Sequence, residues 1–599
     1  MTRFPHFMRA NAKVEQPRHL IIVDTETDTE QAGKDAIRHK LRFGWACYQR
    51  RRDAQRWCEP EWFRFERTHD FWVWVNSHAK PKTNLSIWCH NTNFDLPVLD
   101  TFRDPHKMGW RLNQAIIDAP PTILVFRKAD KKLTILDTLN LWRMPLASIG
   151  KMIGSPKLDM PTQDAPLDAW NRYARQDVEI LRAALIDWLE FLRREDMGNF
   201  RPTLASQSMG TYKHKYMTQK ILIHTNGDAL KLERESYHGG RVECFRIGKI
   251  EEPTHLLDVN SMFPAVMQTE MFPASFVFFT DSDCTRAYER FERDHQMIAD
   301  CLIESREPVY AKHVGGRLCF PVGRFWTALT SPEIKYAIKH GHLIGMKRIS
   351  VYRPAKLFAE FVRDLWARRA KAKEGGNEPL AWNYKILMNS LYGKFGQTGR
   401  IWEPRRQIDD LSSGYDVVYD APTGKIIHTR RLGGLEMCWQ DAPESAESCP
   451  AIAAFVTAYA RMMLWRLIQT AETCNVYYCD TDSVLVNDAG LRNLRNEIDP
   501  TRIGKLKLEA HYTEAQIWGP KDYRFGALEK HKGIRKNAKW LDESSATQQQ
   551  WQGLRGWVRK GATSGPLTTT VTKHLARNYT KGLVREGGLV SPLEIMEDA

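Results

Sequence analysis

The chain has no Cys-x-x-Cys pair, and its eleven cysteines form an odd set scattered from Cys47 to Cys479. That spacing excludes a zinc ribbon and argues against a disulfide framework, which places the protein in a reducing compartment. An apolar signal core is also missing from Met1 to His19, where Arg3, Arg9, Lys13 and Arg18 make a short basic arm over residues 1–18. No apolar run reaches the length of a membrane span, and the nearest, Ala451 to Ile468, contains Arg461 and Arg466 and reads as a buried helix. The expected location is the cytoplasm, away from membranes. An acidic balance is lacking too: 87 Lys and Arg against 72 Asp and Glu leave a net charge of +15, with a pI near 9.2. Such a surface is biased towards polyanions, nucleic acid first among them, although a basic pI also suits a merely soluble protein. At 599 residues the chain exceeds what one core serves, so several domains are expected.

Acidic residues are grouped with purpose where they do occur. Tyr478-Cys479-Asp480-Thr481-Asp482-Ser483 places two carboxylates two residues apart beside a Val-Tyr-Tyr run, which suits a tight hairpin offering acids to a divalent cation. Taken alone, an Asp-x-Asp pair reads first as a solvated acidic turn, a reading that the aromatic flanks and the Thr and Ser hydroxyls weaken. The apolar run His19 to Val23 reads as a central strand and feeds into Asp24-Thr25-Glu26-Thr27, where Asp24 and Glu26 project from one face. Leu85 to Cys89 leads into His90-Asn91-Thr92-Asn93-Phe94-Asp95, a third acid beside an amide and a ring. Tyr173 and Asp177 then fall at i and i+4 of an amphipathic stretch. Four carboxylates from separate elements suit a two-metal hydrolytic site, with Tyr173 orienting the attacking water.

Further along, Ser236-Tyr237-His238-Gly239-Gly240-Arg241 precedes a β-rich stretch, and its glycines permit close backbone approach. A turn lined by Tyr237 and Arg241 suits a template phosphate and a stacked base, or an ordinary hairpin turn. His255 to Pro264 is an apolar strand ending in Asp258. A helix predicted from about Leu380 to Phe395 sets Lys385, Asn389, Tyr392 and Gly393 on one stripe, a cation, an amide, a ring and a gap. In the helical stretch Leu365 to Lys373, Arg369 and Lys373 form an i,i+4 cationic pair.

In order and spacing these segments resemble the exonuclease and polymerase motifs of family-B DNA polymerases, from about Leu20 to the 530s, with Lys385 to Gly393 closest to its counterpart. The resemblance implies a mixed α/β (α+β) chain: a ribonuclease H-like 3′-5′ exonuclease domain over 19–200, then a right-hand polymerase domain. Asp24, Glu26, Asp95 and Asp177 would be its catalytic metal ligands. Thr27, Asn91, Phe94, Thr138 and Leu139 would touch the single-stranded 3′ end. Lys157 is a candidate for steadying the cleaved phosphate, against the ordinary reading of a surface lysine. Tyr237, Gly239 and Gly240, in a 201–250 linker, would hold template.

In the polymerase half, Asp258 and Asp482 would hold two Mg²⁺ ions, with Mn²⁺ a substitute, the Val259 carbonyl a further ligand and Asp480 an auxiliary carboxylate. Val259 to Met262 would surround the incoming dNTP and Phe263 would lie under its sugar, where many relatives carry Tyr. Lys385, Asn389 and Tyr392, with Arg369 and Lys373, would grip the nucleotide. Lys521 and Tyr523, in Lys521-Asp522-Tyr523, would contact the primer of a template-primer DNA. The implied organisation is palm over 251–355 and 450–525, fingers over 356–395, a β-rich strand-displacement insertion over 396–449 with turn signals at Ser412-Ser413-Gly414 and Pro422-Thr423-Gly424, and a basic thumb over 526–599.

Within the family the likeness is to the viral and organellar branch that contains phage protein-primed replicases. A terminal protein would then dock on the Met267 to Lys356 segment, and the enzyme would act as a monomer. The rival classes are a polymerase primed by DNA or RNA, a stand-alone exonuclease, which needs only the first four acids, and a non-catalytic DNA-binding scaffold, which needs neither set.

Overall fold

The computed structural model describes residues 3–53, 56–118, 120–399, 402–422, 424–439, 444–561 and 565–597. Thr423, in the second expected turn of the insertion, lies outside the described residues, as do Met1 and Thr2 of the basic arm.

Continuous apolar runs build the N-terminal sheet. His19–Gly33 lies parallel to Asn84–Cys89, which lies parallel to Lys131–Asp137. Strands covered on both faces need no polar alternation, and here the two faces feed different cores. Leu20, Ile22, Trp88 and Leu136 pack with Ile180, Leu181 and Trp188 of the long helix Leu167–Arg194. Ile21, Val23, Ile87 and Ile135 pack with Phe71 and Trp72 on the other side. The period of two then carries Asp24 and Glu26 onto the face that meets the long helix.

A five-stranded antiparallel sheet forms the second unit, in the order Val242–Cys244, Val476–Asp480, Ser483–Asn487, Thr254–Val259, Leu506–Tyr512. Behind it runs helix Pro450–Ala471, long and apolar enough to cross a bilayer but mostly buried in the interior. The expectation that no run reaches spanning length is corrected in that sense. Ala359–Glu374 and Glu378–Asn389 make an antiparallel pair joined at Gly375–Asn377, where the Asn377 side chain accepts from Leu380 N at 3.1 Å and caps the second helix.

The helix expected from Leu380 to Phe395 is not continuous. It ends at Asn389, and a separate turn, Tyr392–Phe395, follows. Asn389 Nδ2 donates to the Lys385 carbonyl at 2.7 Å, and three weak helix formers, Asn389, Ser390 and Gly393, fall close together. Tyr392 therefore leaves the stripe of Lys385.

Residues 402–439 form a four-stranded antiparallel sheet in the order Trp402–Gln407, Leu435–Trp439, Lys425–Leu432, Gly414–Asp420. It leans on the N-terminal unit through Gln407 Nε2 to the Leu112 carbonyl, 2.7 Å, and Arg430 Nη2 to the Ala115 carbonyl, 3.2 Å. Between Phe272 and Ala355 another antiparallel sheet stands beside the second unit.

The 526–599 segment does not form one body. Its hairpin Ser545–Trp551 and Leu567–His574 extends the N-terminal sheet, Leu567 to Thr569 pairing with Ala36 to Arg38. Its last strand, Glu594–Met596, pairs instead with Val322–Thr330. The N-terminal arm is docked as well: His6–Phe7 pairs with Leu222–Ile223, and Arg3 Nε donates to the His224 carbonyl at 2.9 Å.

Candidate active sites

Two acidic clefts result. The first, of about 780 Å³, is lined by Asp24, Glu26, Thr27, Asn91, Phe94, Asp95, Tyr173 and Asp177, so eight of the predicted residues line one cavity. Asn91 takes a left-handed backbone (φ 76°) just before helix Thr92–Val98, which brings Asp95 down to the Thr25 hydroxyl at 2.7 Å. That turn is pinned by buried Asp137, whose carboxylate accepts from Asn91 N, Thr92 N and the Thr92 hydroxyl.

Burial raises the proton affinity of Asp24, Glu26, Asp95 and Asp177. Burial, then the charges of Asp95, Asp177 and Glu26, pushes Asp24 well above the usual range. Burial with Asp177 lifts Glu26 to about 7, and burial, opposed by the Thr25 hydroxyl, lifts Asp95 to about 7. Asp177 is raised by burial even though Lys157 pairs with it.

Lys157 is thus not the surface lysine of the ordinary reading: its ammonium contacts Asp177 Oδ2 and lies 4.2 Å from the Tyr173 ring centroid. Asp177 Oδ1 is buried without a hydrogen-bond partner. Among the described residues no three acid, His or Cys side chains already close on one point, but an orphaned carboxylate oxygen amid mutually repelling acids fits a divalent cation.

Thr138 does not face the cleft. It is fully buried, with its hydroxyl 2.8 Å from His90 Nδ1, so it reaches the cleft only through His90. Leu139 is half-buried and does not line the cleft either. His39, His90 and Trp551 do line it, and none was singled out from the sequence.

The second cleft, about 540 Å³, gathers Asp258, Val259, Asp482, Lys385, Asn389, Arg369 and Lys373. Along Thr254–Val259, Leu257 and Val259 go to the core while Asp258 takes the open face. Pairing Asp258 with Ser483, and Val259 N with the Asp482 carbonyl at 2.7 Å, fixes the two acids side by side. Burial, then Asp482 and Glu509, raises Asp258 to about 7, and burial with Asp480 raises Asp482. Across the cleft, burial and the charges of Arg369 and Lys373 lower Lys385, and Arg369 Nη1 is buried without a partner. Acids on one wall and unneutralised cations on the other suit a polyanion carried on metal ions. Glu509 and Lys507, on strand Leu506–Tyr512, also line this cleft.

The Phe263 ring stacks on Tyr392, centroids 4.6 Å apart. Asp480 is turned to Lys521, whose ammonium lies 2.8 and 2.7 Å from its two oxygens. Tyr523 is buried, 8% exposed and stacked on Phe525, rather than presented to a strand. Arg241 does not face a phosphate: it is 1% exposed, paired with Glu243 at 2.6 Å and sandwiched near Phe320 and Trp465. The half-buried Tyr237 ring lies against Gly396, Gly239 is exposed, and Gly240 abuts the Thr481 side chain.

A "Probable DNA polymerase" of Neurospora intermedia is 26% identical over 344 residues, covering 54% of this chain and 34% of that protein. The "DNA-directed DNA polymerase" of Enterobacteria phage PRD1 is 25% identical over 290 residues, covering 48% of this chain and 49% of its own. The match thus spans about a third to a half of these relatives' length. Phi29 DNA polymerase complexed with primer-template DNA shares the fold, with a TM-score of 0.66 at 16% identity over 93% of this chain and 100% of that one. The profile of DNA polymerase type B, organellar and viral, matches residues 161–462, just over half of the 599 residues and a stretch that includes Asp177, Asp258 and Lys385. The chain belongs to the organellar and viral type-B DNA polymerase family.

Proposed function

We propose that the protein is a DNA-directed DNA polymerase with 3′-5′ proofreading exonuclease activity, working on template-primer DNA and dNTPs. The observation that carries the reading is the second cleft, where Asp258 and Asp482 face Lys385, Arg369 and Lys373 beside the Phe263–Tyr392 stack. In this reading Asp258 and Asp482 hold two Mg²⁺ ions, which when bound lower the pKa of the primer 3′-hydroxyl and neutralise charge at the α-phosphate. Lys385, Arg369 and Lys373 bind the triphosphate tail and orient it towards the acids. Phe263 and Tyr392 wall in the sugar and the nascent pair, and Lys521, steadied by Asp480, holds the primer.

The first cleft would remove misplaced nucleotides. Asp24, Glu26, Asp95 and Asp177 would hold divalent cations, the Tyr173 hydroxyl would orient water, and Lys157 would take up charge at the cleaved phosphate. The test is a pair of variants assayed for both reactions. Asp482→Ala is expected to lose primer extension and keep single-strand degradation, and Asp24→Ala to do the converse. Extension retained by Asp482→Ala would overturn the assignment.

Priming by a terminal protein belongs to the same proposal, supported by the separate sheet between Phe272 and Ala355 that offers a docking platform beside the polymerase cleft. Incubation with dATP, Mg²⁺ and candidate terminal proteins should leave a covalently attached nucleotide on one of them. If none is labelled while ordinary DNA primers extend, protein priming falls. The four-stranded sheet over 402–439 is proposed to part the strands ahead of the primer.

A further inference from the structure

We propose that Trp551, brought in by the C-terminal hairpin, forms with Phe94 and His39 an aromatic cage that stacks the terminal unpaired base of a single strand in the four-acid cleft. The inference rests on the degradative reading of that cleft. Trp551 ends strand Ser545–Trp551 and lines the same cavity as Asp24, Glu26 and Asp177. Its ring centroid lies 4.9 Å from His39 and 5.1 Å from Phe94, and His39 lies 5.3 Å from Phe94. Phe94 stands nearly perpendicular to both neighbours, at 86° and 74°. Three mutually touching rings in different planes make a concave apolar wall rather than a flat stack.

Trp551 keeps 37% of its surface open although it is anchored on both sides. Leu554 N donates to Asn93 Oδ1 at 3.0 Å, one residue before Phe94 in the chain, and Gln552 N donates to the Leu567 carbonyl at 2.9 Å. His39 is bracketed between the Thr27 hydroxyl at 3.1 Å and the Thr568 hydroxyl at 2.9 Å, and its backbone N–H donates to the Pro566 carbonyl. The cage is therefore held by residues from both ends of the chain, and its free aromatic surface faces the acids' cavity. A wall of this kind recognises the π-face that every base carries, so its ligand is an unpaired base of any identity. A paired terminus has that face covered by its neighbours.

The test uses the full chain with Trp551→Ala, Trp551→Leu and Trp551→Phe. Binding of a labelled single-stranded oligonucleotide is measured by fluorescence anisotropy under chelation, with the 3′ end either ordinary or abasic. Ala and Leu should weaken binding of the ordinary end about tenfold. Phe should restore most of it, and the abasic end should bind all four proteins alike. Equal binding of the ordinary end by Trp551→Ala and the unsubstituted protein would overturn the cage, as would an equal loss on the abasic end, which would mark a structural role. Failure of the unsubstituted protein to shorten the strand with Mg²⁺ would overturn the degradative reading alone, because stacking is read at equilibrium without cleavage.

Discussion

Lys521 grips Asp480 with one ammonium between both carboxylate oxygens, 2.8 and 2.7 Å away, on a residue whose own backbone is left-handed (φ 61°). Asp480 is thereby ion-paired with a cation, and in the proposed mechanism Asp482 rather than Asp480 is the metal ligand. Asp480→Asn should accordingly retain measurable extension where Asp482→Asn does not. Lys521→Ala should weaken template-primer binding and reduce the slope of log Kd against log salt by about one. Titrations at several salt concentrations check it, and an unchanged slope would show that Lys521 meets no phosphate.

Gly240 has its own steric reason. A Cβ there would lie 2.8 Å from the Thr481 methyl, with the Thr481 hydroxyl and Cβ at 3.1 and 3.2 Å, so a rigid hairpin turn would have to yield. Thr481 itself sits at φ 65°, which costs a β-branched residue roughly 1–2 kcal/mol. Gly240→Ala should displace Asp482 and lower extension about 100-fold, as small misplacements of reacting groups do. Adding Thr481→Gly should restore much of the rate, and a double-mutant cycle of primer extension reads the coupling.

Burial of the acids gives a pH signature. Glu26, Asp95 and Asp258 hold protons up to about pH 7, above their unfolded values, so their stabilising contribution is full below about pH 4 and is lost as the pH rises through about 7. Melting curves under chelation should fall over that window. Added Mg²⁺ should raise Tm more at pH 8 than at pH 5, because ions bind the deprotonated acids. A magnesium effect independent of pH would contradict the proposed ligand sets.

Phe263 stacks on Tyr392, so its ring is braced where a sugar would rest. Phe263→Val should raise ribonucleotide incorporation relative to deoxyribonucleotide by roughly 10- to 100-fold, the range over which sterics in a pocket discriminate. Competitive incorporation of dNTP and rNTP measures the ratio, and an unchanged ratio would remove Phe263 from sugar selection.

Local periodicity made part of both sites readable. Asp24 and Glu26 follow from strand alternation, and Tyr173 with Asp177 from helical spacing, because each depends only on near neighbours. What escaped was set by distant segments. Lys157 was a candidate by resemblance alone, since nothing near it in the chain told it from a solvated lysine, and the fold placed Asp177 beside it. Arg241 sat in a turn that fits exposed and buried side chains equally, and Phe320 and Trp465 decided between them. Trp551 carried no nearby signal at all, since its partners His39 and Phe94 lie more than 450 positions earlier.

The pairing of Ala36–Arg38 with Leu567–Thr569 also has a consequence for how the chain is made. On a ribosome, the Ala36–Arg38 edge must wait for Leu567–Thr569 before it is covered, and an open edge is a template for wrong partners. Closure at such sequence separation is slow compared with local pairing. The N-terminal unit is therefore born unfinished, and a version cut off after the long helix would keep its four acids while leaving that edge bare and the cleft short of one wall.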